Sequence, residues 1–93
     1  MPKLEFVEKR IFEIEGFQVV FKDVNGKNIR DDKQFPKQYE AERATRNSFS
    51  VKDYKEKLQR QFTGYEFDIL NSDGTIAKGQ TKLATVRDTY LDD

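Results

Sequence analysis

No cysteine and no histidine occur in the chain. Without cysteine there is neither a disulfide framework nor a thiolate metal site. Without histidine the commonest general base and the commonest transition-metal ligand are both missing. There is no tryptophan, and no apolar run approaches the length of a membrane span. The first ten residues, MPKLEFVEKR, lack the apolar core of a secretion signal. A cytoplasmic location with no membrane partner is the expectation from these missing signals. Nucleophile motifs and glycine-rich phosphate loops are also missing, since the glycines stand singly. The reading is therefore of a protein that is not an enzyme, with no catalytic residues, no cofactor and no metal.

What is present is charge and aromatic carbon. Of the 93 residues, 37% are charged and 35% are hydrophobic, and 17 basic residues balance 17 acidic ones. That much charge leans toward disorder, but eight phenylalanines and four tyrosines spread along the chain supply a core. A single domain over residues 1–93 is expected. The neutral total hides an uneven distribution. Residues 33–62 carry eight basic and four acidic groups, whereas the flanking stretches are each net acidic.

One stretch occurs twice. Residues 64–78, GYEFDILNSDGTIAK, lie without a gap over residues 16–30, GFQVVFKDVNGKNIR, at an offset of 48. Gly16 matches Gly64 and Gly26 matches Gly74. Each copy reads as an alternating strand, a glycine-containing turn and a short return strand, which is a β-hairpin. Ahead of the first copy, Leu4, Phe6, Phe12 and Ile14 share one parity, which predicts a further strand joined to the hairpin by a bulge at Gly16. Lys37–Arg46 is expected to form a short helix following Pro36. Ser50 and Asp53 have capping-box spacing, and Val51, Tyr54, Leu58 and Phe62 form an apolar stripe, so a helix starts at Ser50. Leu83, Val86 and Tyr90 suit a short C-terminal helix.

The fold expectation is α+β: a small, mostly antiparallel sheet of four or five strands, made by two related hairpins and packed against one main helix. The order hairpin, helix, hairpin is β-grasp-like.

The motifs are modest. The turns at residues 23–26 and 71–74 resemble the start of a calcium loop, but Asp32 and Gln80 stand where the bidentate glutamate would be needed, so they are read as plain turns. The strands GFQVVF and GYEFDI have the aromatic alternation of an RNA-reading strand, yet Gln18 and Glu66 replace its small residue, and Glu15 and Thr63 its basic one. Asp31–Asp32 and Asp92–Asp93 are adjacent acids of the sort that stay solvated rather than perform acid–base chemistry. Arg87 and Asp88 are expected to bond main-chain groups of the hairpin and pin the C-terminal segment.

The candidate interaction surface is the basic middle: Arg43, Arg46, Lys52, Lys55, Lys57 and Arg60. Two readings follow. The leading one is a non-catalytic module that binds another protein, or a second copy of itself. The alternative is nucleic-acid binding through residues 43–60, where clustered cations would release counterions from phosphates. The two hairpins differ outside their cores, with Val20 and Lys22 replaced by Asp68 and Leu70. A binding surface is expected where the copies disagree and along the basic helix between them.

Overall fold

The computed structural model describes residues 2–41 and 43–91. The element order is α1 (Leu4–Glu15), β1 (Gln18–Lys22), α2 (Val51–Gln61), β2 (Glu66–Leu70) and α3 (Leu83–Asp88). The class is α+β, with three helices and one two-stranded antiparallel sheet among the described residues. None of these helices is long and apolar enough to cross a membrane.

The first element corrects the sequence reading. Residues 4–15 are a helix, not a strand. Leu4, Val7 and Ile11 recur at helical spacing and are all buried, whereas Phe6 and Phe12 remain 51% and 45% exposed. The parity shared by Phe6 and Phe12 therefore marks no buried face. Gly16 is not a bulge. It ends α1 in the left-handed region at φ 85°, its N–H donating to the Phe12 carbonyl at 2.9 Å.

β1 pairs with β2 rather than with its own return strand. The register sets Val20 opposite Asp68, flanked by the pairs Val19–Ile69 and Phe21–Phe67. The returns are reduced to single bridges, Lys22 to Asn28 and Leu70 to Ile76. Among the described residues the sheet has two strands rather than four or five, and the hairpin–helix–hairpin order is replaced by α-β-α-β-α. The two turns close on glycines with positive φ, Gly26 at 81° and Gly74 at 88°. Their acids serve the turns themselves. Asp23 accepts from the N–H groups of Asn25 and Lys27, and Asp73 from that of Thr75.

Two helices, not one, pack on the buried face of the sheet, α1 beside β1 and α2 beside β2. Val19, Phe21, Phe67 and Ile69 line that face and join the buried hydrophobic residues of both helices in one cluster. Phe21 sits at its centre, in edge contact with Phe35, Phe62 and Phe67 at centroid distances of 5.4, 5.3 and 4.9 Å.

Hydrogen bonds recur at a nearly constant offset. The Leu4 N–H donates to the Lys33 carbonyl and that of Phe35 to Pro2; likewise Val51 donates to Thr81 and Leu83 to Phe49, all at 2.8 Å. Across the helices the offset is 47. Leu4, Val7, Ile11 and Glu15 correspond there to Val51, Tyr54, Leu58 and Phe62, and all eight are buried. Across the strands it is 48, because one extra residue lies between Phe62 and Gly64.

α2 begins as its sequence requires. Ser50 Oγ accepts from the Asp53 N–H, and Asp53 accepts from the Ser50 N–H, each at 3.2 Å. The segment expected to be helical at 37–46 has no helix among its described residues. Its polar composition leaves it without an apolar stripe of its own, so it takes its path from what it bonds.

Candidate functional site

That path is set by Glu15. Its carboxylate occupies the position that Phe62 fills behind α2, and it is 1% exposed. A buried carboxylate requires partners for every oxygen lone pair. Oε1 accepts the Thr45 main-chain N–H at 2.7 Å and Arg87 Nη2 at 3.0 Å. Oε2 accepts the Tyr39 hydroxyl at 2.5 Å and Thr45 Oγ1 at 3.2 Å. Tyr54 from α2 donates in turn to the Tyr39 oxygen at 3.0 Å. No buried side-chain nitrogen or oxygen among the described residues lacks a partner.

The electrostatics of this cluster are one-directional. Burial raises the Tyr39 hydroxyl above its ordinary pKa, and the bond to Glu15 adds to the shift. Tyr54 is raised mainly by burial, then by the nearby Tyr39 and Glu15. Both phenols therefore stay protonated and act as donors. Arg87 also donates through Nε to the Glu15 carbonyl at 2.7 Å and through Nη1 to Asn47 Oδ1 at 2.6 Å. It caps α1 and clamps the linker instead of reaching the hairpin. The C-terminal segment meets the hairpin through its neighbours. Thr89 Oγ1 accepts the Ser72 N–H, and the Tyr90 hydroxyl donates to the Leu70 carbonyl while accepting from the Gln18 N–H.

With Tyr39 and Thr45 held by Glu15, residues 40–41 and 43–49 run alongside α2. Gln61 closes one end, exchanging two hydrogen bonds with the main chain of Glu40 at 2.9 and 3.0 Å. Lys57 crosses from α2 to Thr45 Oγ1 at 3.0 Å. Between segment and helix lies an open groove of about 890 Å³.

This groove brings together four of the six candidate cations: Arg43 and Arg46 from the segment, Lys57 and Arg60 from α2. Lys52 is on the far flank of α2, beside Lys78 and Gly79, and Lys55 does not line the groove. The ion pairs among the described residues are Lys22–Asp68, Arg30–Asp32 and Arg87–Glu15, so none of them engages Arg43, Arg46 or Arg60.

The lining was only partly foreseeable. It includes Ala41, Ala44 and the 37%-exposed Phe49, and also the acids Glu40, Asp53 and Glu56. Asp53 is held below the ordinary carboxyl range by the Ser50 main-chain N–H. Glu15, Tyr39 and Arg87, which fix the groove wall, were not singled out by sequence as a group. The available signal was a lone acid continuing the Leu4–Val7–Ile11 stripe. Of the adjacent acids, Asp31 and Asp32 are exposed, whereas Asp92 and Asp93 lie outside the described residues.

Comparison with known proteins finds no matching family model, no matching curated protein and no matching solved structure.

Proposed function

We propose that this protein is a small non-catalytic interaction module, built on a duplicated helix–strand–turn unit, that binds another protein or a second copy of itself. The observation that carries the reading is the groove between residues 40–41 and 43–49 and α2, where, among the described residues, exposed Phe49 and two alanines lie with four cations and three acids. A surface combining an aromatic anchor, arginines and both charge signs has the composition of a protein-recognition patch. The groove also lies where the two units differ, since the linker after Phe35 has no counterpart to α3. The alternative, nucleic-acid binding through residues 43–60, draws on the same convergence of Arg43, Arg46, Lys57 and Arg60. The intervening Asp53 and Glu56 weigh against it, because they repel phosphate.

The test compares the wild-type chain with an Arg43→Glu, Arg60→Glu double variant in affinity capture and in light scattering. Binding through the groove gives a retained protein, or a dimer mass, that the double variant loses. A strict monomer that retains nothing, or a partner retained equally by both proteins, overturns the reading.

A further inference from the structure

We infer that the groove takes an extended, acidic segment of another protein, one whose carboxylates are spaced between apolar side chains. The inference rests on the binding function proposed above and names the chemistry of its occupant.

The arginines carry the argument. Arg43 and Arg46 stand on the segment wall and Arg60 on the α2 wall, so positive charge faces the groove from both sides. The ion pairs among the described residues leave all three out. A guanidinium presents a planar fork of donors that matches a carboxylate in bidentate fashion, with more geometric selectivity than an ammonium. The one lysine in the groove is already committed to Thr45. The three arginines are thus the cation type suited to carboxylates, and they come from both walls of the groove.

The space between them is part carbon and part polar, since Glu40, Asp53 and Glu56 share the lining. Ala44 and Phe49 offer carbon surface, and Phe49 is exposed although it directly precedes the α2 cap. A bound side chain of leucine or isoleucine type would cover it.

Glu56 decides between peptide and nucleic acid. A nucleic-acid strand carries a charge on every phosphate and cannot skip a position. Laid along α2, it would pass the carboxylates of Asp53 and Glu56. A peptide can place its acids opposite Arg43, Arg46 and Arg60 and present neutral or basic residues to Asp53 and Glu56. The groove's own order of charges therefore favours the protein occupant.

The probe is a synthetic peptide alternating glutamate with leucine, titrated into the isotope-labelled full chain and followed by amide chemical shifts. The same peptide with lysine for glutamate and a single-stranded oligothymidylate are run in parallel at the same salt. The acidic peptide is expected to shift the amides of Ala44, Arg46, Phe49 and Arg60, and the lysine peptide to leave them in place. Combining Arg43→Glu, Arg46→Glu and Arg60→Glu is expected to weaken the acidic peptide by at least about tenfold, since charge reversal at a complementary surface removes attraction and adds repulsion. Arg30→Glu, an exposed charge outside the groove, leaves its affinity unchanged. All four substitutions are at exposed positions, and preserved spectral dispersion verifies the fold.

Three results overturn the inference: no groove shifts with the acidic peptide, equal affinity in the triple variant, or tighter groove binding by the oligothymidylate. A dimer whose groove amides are protected overturns it too, while leaving the self-binding arm of the proposed function intact. If the double variant loses a captured partner yet the acidic peptide does not bind, only the occupant's chemistry is wrong.

Discussion

Arg87 grips Glu15 twice, at the main-chain carbonyl through Nε (2.7 Å) and at the carboxylate through Nη2 (3.0 Å). One side chain from α3 thus caps the last turn of α1 and neutralises the acid that α1 buries. The favourable placement of a cation at a helix C-terminus reinforces the pair. Removing either partner leaves an uncompensated charge out of water. Glu15→Ala and Arg87→Ala are each expected to lower stability by about 3–5 kcal/mol. For a domain whose total stability is roughly 5–15 kcal/mol, that is a large share. The two losses are expected to be strongly non-additive in a double-mutant cycle read by urea denaturation. Additive losses would mean that the pair contributes nothing as a pair.

The tyrosines behind Glu15 form a chain with a defined direction, Tyr54 donating to Tyr39 and Tyr39 to Glu15. Tyr39→Phe removes both a donor to the carboxylate and the acceptor of Tyr54, and is expected to cost about 1–3 kcal/mol. Tyr54→Phe removes only the terminal donor, so its cost is expected near 0.5–1.5 kcal/mol. The reverse order in chemical denaturation would refute this chain. Both phenols have pKa values raised in the folded state, so the folded protein holds their protons longer than the unfolded chain does. Their contribution is intact below the ordinary tyrosine pKa of about 10 and is lost as pH rises beyond it. Ultraviolet titration is expected to show their ionisation delayed until alkaline unfolding releases them, and Tyr39→Phe with Tyr54→Phe to remove the delayed fraction.

The ease of reading this fold differed by element for physical reasons. α2 was legible because Ser50, Asp53 and the Val51–Tyr54–Leu58–Phe62 stripe are local, and each signal agrees with the others. α1 was misread because Phe6 and Phe12 supply a competing period of two. Large exposed aromatics outweighed the smaller residues Leu4, Val7 and Ile11 that the core buries. The same error concealed Glu15, which reads as an unremarkable polar position on a strand and as a buried acid only on a helix. The charges of the groove were legible as composition. Their convergence was not, because it depends on Thr45 reaching Glu15 across 30 residues of chain. Contacts of that span leave no periodic trace in a single sequence.

Gly16 turns the chain from α1 into β1 at φ 85°, and a Cβ there would meet nothing within 4 Å. Space is therefore not the obstacle; the left-handed backbone is. Gly16→Ala is expected to cost about 1–2 kcal/mol, and Gly16→Asn less, because asparagine tolerates this region better. Gly79 lacks a positive φ, and its nearest neighbour is Lys52 Cβ at 3.6 Å, an ordinary contact. Gly79→Ala is accordingly expected to be near neutral in thermal melts. Equal losses at the two sites would mean that backbone conformation is not what selects glycine at 16.

Glu8 gives the fold a pH dependence on the acid side. It accepts the Phe21 N–H at 3.1 Å, joining α1 to β1. Burial raises its pKa to about 6, the Phe21 bond partly opposes that shift, and Asp31 adds to it. Because the folded value exceeds the unfolded 4.5, the folded state holds this proton more tightly. Stability from this group is complete below about 4.5 and declines as pH rises through 6. The full shift corresponds to about 2 kcal/mol, and partial exposure brings the expected loss nearer 1 kcal/mol. Glu8→Gln retains a carbonyl oxygen for the Phe21 N–H but cannot ionise. Its stability is expected to match the wild type at pH 4.5 and to exceed it at neutral pH. Denaturation midpoints collected across that range test this directly, and a variant that tracks the wild type at every pH would assign the dependence to other groups.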